Sequence, residues 1–323
     1  MRHAKLSAQR LWFNALASGM LALQLAAQTS APTEKLFPTP EAAIEALKAA
    51  AASADQTALN SIFGPDRQKL LSGDAMEDQD ALAHFAAELA RSSELKQLSD
   101  SKYTLLTGSD HWPFPVPIVQ WNHQWRFDTA AGLEEMLNRK IGENELSAIA
   151  TCRAYVLAQW EYFTSAFDTS QDGLAVYAQK FVSTPGQHDG LYWETVPGAP
   201  TSPLGSLVAE ARSEGYSAEG SAGASLHAQG QSTPFHGYFF KILKRQGPHA
   251  PGGRFSYVIN GNMIAGYALI AYPDKWGSSG VMTFIVNNQG RVYSKNLGPR
   301  TAAAAAAITE YDPDPSWRLV REE

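Results

Sequence analysis

The sequence predicts an α+β fold in which N-terminal helices share a small sheet and a later long helix packs on an antiparallel meander. Three observations carry that expectation. Apolar residues recur at helical spacing in the first half, fall into short runs after Gly190, and are punctuated there by hairpin dipeptides such as Asn260-Gly261. The organisation read from these shifts is 1–27, 33–128 and 129–323.

Residues 1–27 place Arg2, Lys5 and Arg10 ahead of an apolar run from Leu11 to Ala27. This is the layout of a secretory signal peptide, with cleavage expected after Ala27. No cysteine lies near that point, so a lipoprotein is not expected, and no later segment has the apolar length of a membrane span. The expected location is periplasmic or secreted.

Thr39-Pro40-Glu41 reads as a cap followed by proline at the first helical position, with Ile44, Leu47 and Ala51 on one face. A second helix is expected over Ala81–Arg91 through Leu82, Phe85 and Leu89. Strands are expected at residues 103–106, 116–119 and 125–127, the second carrying prolines that suit an edge.

From Thr129 to Phe167 the chain is most helical. The reading is one helix from Thr129 to Asn138 and a longer one capped by Asn144, with Leu146, Ile149, Val156, Trp160 and Phe163 as its core stripe. Strands follow at 237–243, 255–259, 264–271, 281–286 and 291–294. A last helix is expected to start at Pro299, run through Ala302–Ala307 and be stopped by Pro313. Gly, Ser, Ala and Pro accumulate between Pro197 and Pro234, which reads as a mobile surface segment.

Composition excludes several functions. The chain carries 26 Lys/Arg against 32 Asp/Glu, a net charge of −6, and loss of the three Lys/Arg in residues 1–27 leaves −9. Nucleic acid is therefore not an expected partner. The single cysteine, Cys152, forms no internal disulfide and reads as a buried, inert thiol. Gly-x-Ser-x-Gly, Cys-x-x-Cys and His-Glu-x-x-His motifs are absent. Gly261–Gly266 has phosphate-loop glycine spacing, but Tyr267-Ala268 stands where Lys and Ser/Thr are needed, so a hairpin turn accounts for it.

Two segments retain chemical interest. Asp168, Ser170 and Asp172, followed by Gly173, alternate oxygen ligands as the start of a calcium loop does. The twelfth position is Gln179, which lacks the bidentate carboxylate, so a Ca²⁺ site competes with a plain helix-ending turn. Among the histidines, His111, His123, His188 and His236 are candidates for acid–base work, though none has metal-ligand spacing. His188, Asp189, Tyr192 and Trp193 form the strongest cluster, because one loop carries an imidazole, a carboxylate and two large aromatics.

Seven stretches, WRFDTAAGLEEMLNRKIGENELSAI, AQWEYF, HDGLYW, GYFFKIL, SYVINGNMIAGYALIAYP, GVMTFIVNNQGRVY and LGPRTAAAAAAITEYDPDPSW, occur in this order between Phe37 and Trp317. Together they resemble the bacterial family of unknown function DUF2950. The resemblance implies an exported bacterial protein and supplies no catalytic residues. Residues 144–297, a long helix followed by a meander ending in a Thr-Phe-x-Val-x-x-x-Gly-x-Val hairpin, also resemble the globular head of type IV pilins and pseudopilins. Here the helix is internal and amphipathic, so the resemblance implies a borrowed head rather than pilin-type filaments.

The function expected is a non-enzymatic binding or assembly module whose partner is an envelope protein or glycan. The alternative is a periplasmic hydrolase acting on glycan or peptide through a cleft near His188 and Asp189. An enzyme needs at least two titratable groups converging in a concave site.

Overall fold

The computed structural model describes residues 33–165, 167, 173–194, 198, 200–213 and 234–321. The expected signal peptide and the Asp168, Ser170 and Asp172 ligands lie outside the described residues. The fold is α+β, and the chain divides into two compact units. The first runs to Pro113 and resumes over Ile118–Thr129; the second comprises Phe114–Pro117 and everything from Ala130.

In the first unit, α1 (Pro40–Ala52) starts where Thr39 Oγ1 accepts from Ala42 N at 3.2 Å. It buries Ala43, Ile44, Leu47, Ala50 and Ala51, the face that its apolar spacing marks out. A short α2 (Gln56–Phe63), capped by Asp55, follows. Helix α3 (Ala75–Arg91), capped by Asp74, begins a turn and a half earlier than its apolar residues indicate. Its opening turns, Ala75-Met76-Glu77-Asp78, gain their helical start from the cap and from acidic residues near the dipole.

The sheet of this unit has the order β1 (Ser93–Ser99), β2 (Lys102–Thr107), β4 (Ile118–Trp121), β5 (Gln124–Phe127), with β3 (Trp112–Pro113) beside β2. All pairings are antiparallel. Leu105, Ile118, Trp125 and Phe127 form its buried side. Strand β1 has no sequence signature, because SELKQLS is a mostly exposed edge whose order comes from pairing with β2.

The second unit is organised by α4 (Thr129–Thr164), one continuous helix of 36 residues where two were expected. Asn144 is therefore not a cap. Its amide donates to Ser279 O at 2.8 Å, and Glu145 Oε1 accepts from Val281 N at 2.9 Å and Met282 N at 3.0 Å. Gly142 is buried within the run, and Gly132 admits the 114–117 segment: a Cβ there would lie 2.5 Å from Val116 Cγ2 and 3.0 Å from its Cα.

The buried face of α4 is Ala148, Cys152, Tyr155, Ala158, Gln159 and Tyr162, not the expected stripe. Leu146 and Trp160 are 45% and 60% exposed, while Ile149, Val156 and Phe163 are half-buried. Small residues and hydroxyl-bearing aromatics win the core face because they pack closely and their polar tips find backbone partners.

Strands β6 (Tyr238–Leu243), β7 (Arg245–Gln246), β8 (Phe255–Ser256), β9 (Val258–Ile259), β10 (Asn262–Met263), β11 (Ala268–Pro273), β12 (Met282–Asn287), β13 (Tyr293–Asn296) and β14 (Arg318–Leu319) complete the unit. The main sheet is antiparallel with order β14-β13-β12-β11-β6. Strands β9 and β10 close on Asn260-Gly261, both in the left-handed region at φ 48° and 83°, as the dipeptide requires.

Two further helices depart from expectation. In the segment expected to be mobile, α5 (Gly205–Ser213) is formed, and Leu204 and Val208 are buried in the core at its start. Residues 214–233 lie outside the described residues. Helix α6 (Thr301–Ala307) forms over the expected alanine run but ends well before Pro313, which is not its stop. The Lys241 ammonium closes it, donating to the carbonyls of Ala305 at 2.8 Å, Ala306 at 3.2 Å and Ile308 at 2.7 Å.

Candidate functional site

The His188–Trp193 loop is held from beneath by α4. Gln159 is fully buried; its Nε2 donates to Ala178 O at 2.8 Å and to the Tyr155 hydroxyl at 3.0 Å, and its Oε1 accepts from Ala178 N at 2.9 Å. One amide thus pairs with residue 178 as a strand would. Tyr162 Oη donates to His188 O at 2.6 Å.

Within the loop, Ser183 N donates to Tyr192 O at 2.8 Å and Tyr192 N donates to Phe181 O at 2.7 Å. Gly190 is required by this close approach, since a Cβ would stand 2.7 Å from Ser183 N. Leu191 is wholly buried, and Trp193 is 7% exposed with Nε1 donating to Pro200 O at 3.1 Å. Trp193 therefore plugs the core.

His188 is exposed at the outer end, its ring stacked on the Trp193 indole at 4.3 Å and 29°. Phe167 meets both edge-on, at 5.0 Å from Trp193 and 6.4 Å from His188. Asp189 turns to the loop itself: it accepts from Thr184 N at 2.7 Å, from Thr184 Oγ1 at 2.8 Å and from the Lys180 ammonium. Burial alone would raise the Asp189 carboxyl, but these donors outweigh it and hold the group below its usual range. The four residues share one loop, with the carboxylate engaged by Lys180 and Thr184 and the imidazole by Trp193. Tyr192 is half-buried against the core.

The other three candidate histidines sit in turns. His111, His123 and His236 all have positive φ, at 51°, 63° and 44°. His111 Nδ1 lies 3.3 Å from Glu94 Oε2, and the His236 ring lies 4.3 Å from that of Phe235. Among the described residues no group of three or more His, Cys, Asp or Glu is placed to hold a metal ion. Burial pushes the Cys152 thiol up to about 12, which fits an inert side chain.

A carboxylate–imidazole pair that sequence reading missed joins His249 to Asp312. Asp312 accepts from His249 N at 2.8 Å, and its Oδ2 lies 2.9 Å from His249 Nδ1. Gly247 makes room, since a Cβ would lie 2.4 Å from Asp312 Cγ. The hydrogen bond to Asp312 raises the imidazole above its ordinary value, with Asp314 adding to the effect. The only sequence signal was Asp312-Pro313-Asp314-Pro315, which reads equally well as a helix stop. In the first unit, Thr33, Asn60, Gly64, Pro65 and Gln68 line an open cavity of about 330 Å³ with no titratable side chain.

Among models of known families, one described as a protein of unknown function, DUF2950, matches residues 34–320. No curated protein and no solved structure matches the chain.

Proposed function

The chain belongs to the DUF2950 family, and from that premise we propose that it is an exported, non-enzymatic module of the bacterial envelope, acting through binding or assembly. The observation that carries the proposal is the outer face of α4. Leu157 and Trp160 are 70% and 60% exposed there, side chains that a helix with one core face has no reason to carry. The export part rests on the basic, then apolar, residues 1–27. A pilin-head-like role is supported by the pairing of one long helix with a five-stranded antiparallel sheet. The partner on this reading is an envelope protein rather than a glycan, because the exposed face is apolar.

The loop favours the same side. Asp189 spends its oxygens on Thr184 and Lys180, and Trp193 is a core residue, so neither is presented to a substrate. The test has two arms. Fractionated bacterial cells should hold a periplasmic form lacking residues 1–27; an unprocessed cytoplasmic form overturns the export reading. The purified protein should leave peptidoglycan and denatured protein substrates intact. Turnover abolished by His188→Ala overturns the non-enzymatic reading.

A further inference from the structure

The rim of the main sheet carries charge of the opposite sign to the chain as a whole. Residues 291–296 and 317–321, RVYSKN and WRLVR, hold four cations and no carboxylate, in a chain whose net charge is −6. They contain β13 and β14, and β14 is the outermost strand. Tyr293 pairs with Leu319, Val320 N donates to Val292 O at 2.9 Å, and the Lys295 ammonium lies 5.6 Å from the centre of the Trp317 ring. Side chains alternate along a strand, so this register places Arg291, Tyr293 and Lys295 on one face, level in turn with Arg321, Leu319 and Trp317.

The composition of that face points outside the fold. Arg291 and Arg321 are both exposed, and like charges opposite one another across a strand pair work against folding. Among the described residues no carboxylate forms an ion pair with either. Asp314 is within electrostatic reach of Lys295, at the far end, and accepts from Ser316 N at 2.8 Å. Glu322 and Glu323 follow in the sequence and lie outside the described residues. Between the cations stand the half-buried rings of Tyr293 and Trp317, and Leu319, which is 49% exposed.

Charge and apolarity together select the occupant. A second copy presenting this face would set arginine against arginine. An acidic protein answers the arginines and leaves Leu319 without apolar cover. An anionic bilayer answers both: its phosphates meet the guanidinium groups, and its acyl boundary receives a leucine flanked by amphipathic rings. The acidic remainder of the chain does not oppose this contact strongly, because at physiological ionic strength screening limits each charge to a range of about 8 Å.

We propose that the β13–β14 face from Arg291 to Arg321 docks on an anionic phospholipid surface, with Leu319 entering the interface. The inference adds a membrane contact to the binding module and rests on its export part, which brings the mature chain to a bilayer.

Flotation of the chain from Gln28 onward with lipid vesicles tests it, since residues 11–27 are then absent and cannot insert. The protein should float with vesicles rich in phosphatidylglycerol and not with phosphatidylcholine alone. Each Lys or Arg at such a surface changes binding about fivefold, so Arg291→Gln combined with Arg321→Gln should weaken it about 25-fold. The same double change removes a like-charge pair and should not lower the melting temperature. An environment-sensitive dye on Leu319→Cys should brighten on the anionic vesicles; Cys152 is buried and does not compete.

Three results overturn the proposal. Vesicle binding untouched by the double change assigns the contact to another surface. Polyglutamate bound through Arg291, with vesicles ignored, makes the occupant an acidic protein. Displacement by inorganic phosphate at constant ionic strength, with the dye silent, reduces the face to a free-anion site. Failure of the export reading would appear separately, as an unprocessed chain in fractionated cells, and leaves the vesicle result unchanged.

Discussion

Replacing Gln159 removes a side chain that stands in for a strand. The Gln159→Leu change keeps roughly the same volume but leaves the N–H and C=O of Ala178, itself 2% exposed, without partners. Each buried backbone group left unpaired costs about 1–3 kcal/mol. The apolar replacement returns about 1 kcal/mol of burial. The net loss is about 3 kcal/mol, and at about 2–4 °C per kcal/mol for a unit of this size the melting temperature should fall by about 6–12 °C. Urea unfolding reads the free energy and a thermal melt the temperature, both followed by circular dichroism.

The Gln159→Glu change adds a sign test. An ionised carboxylate there still accepts from Ala178 N but faces Ala178 O without a proton to offer. Burial raises its pKa above the unfolded value of about 4.3. The folded variant then binds more protons than the unfolded one across that window, so its stability falls as pH rises and recovers toward about pH 4.3. A loss under 1 kcal/mol for Gln159→Leu, or a pH-independent deficit for Gln159→Glu, refutes the pairing described here.

Gly132→Ala should destabilise the second unit by about 1–3 kcal/mol through overlap with Val116, although alanine is the better helix former by about 1 kcal/mol; a gain in melting temperature would refute the close approach. The His249 pKa is raised by Asp312, so the contact stabilises below the unfolded value of about 6.5 and is lost as pH rises through the folded one. His249→Gln should accordingly shrink the difference in melting temperature between acid and alkaline buffer, and an unchanged difference counts against the pair. Cys152 should resist thiol reagents in the native state and titrate as one thiol after unfolding; rapid native labelling would contradict its burial.

Local signals were legible where one residue type serves one backbone need. Thr39-Pro40 capped a helix, and Asn260-Gly261 made the turn of β9 and β10. The face of α4 was misread because it bears two apolar stripes, and periodicity cannot say which of them meets the sheet. Tyr155, Gln159 and Tyr162 look like the weaker stripe until Ala178, Ala268 and His188 supply their backbone partners, all of them distant in sequence. Composition hid α5 for a related reason. The Gly- and Ser-rich stretch contains the few apolar residues, Leu204 and Val208, that dock its start. In the candidate site the loop was legible and its purpose was not, because Thr184 and Lys180 had to be seen bonding Asp189.

The order of the sheet bears on how the second unit is made. Helix α4 is complete long before β6, the first strand of the main sheet, and the β14 edge is contributed by residues 318–319. At about 5–20 residues per second, synthesis separates the helix from its sheet by several seconds. During that interval both apolar stripes are uncovered, and the nascent chain is at its most adhesive. Only when residues such as Ala178, His188 and Ala268 arrive does one stripe acquire its permanent cover, so the birth of the molecule is also the moment at which its two greasy sides become different.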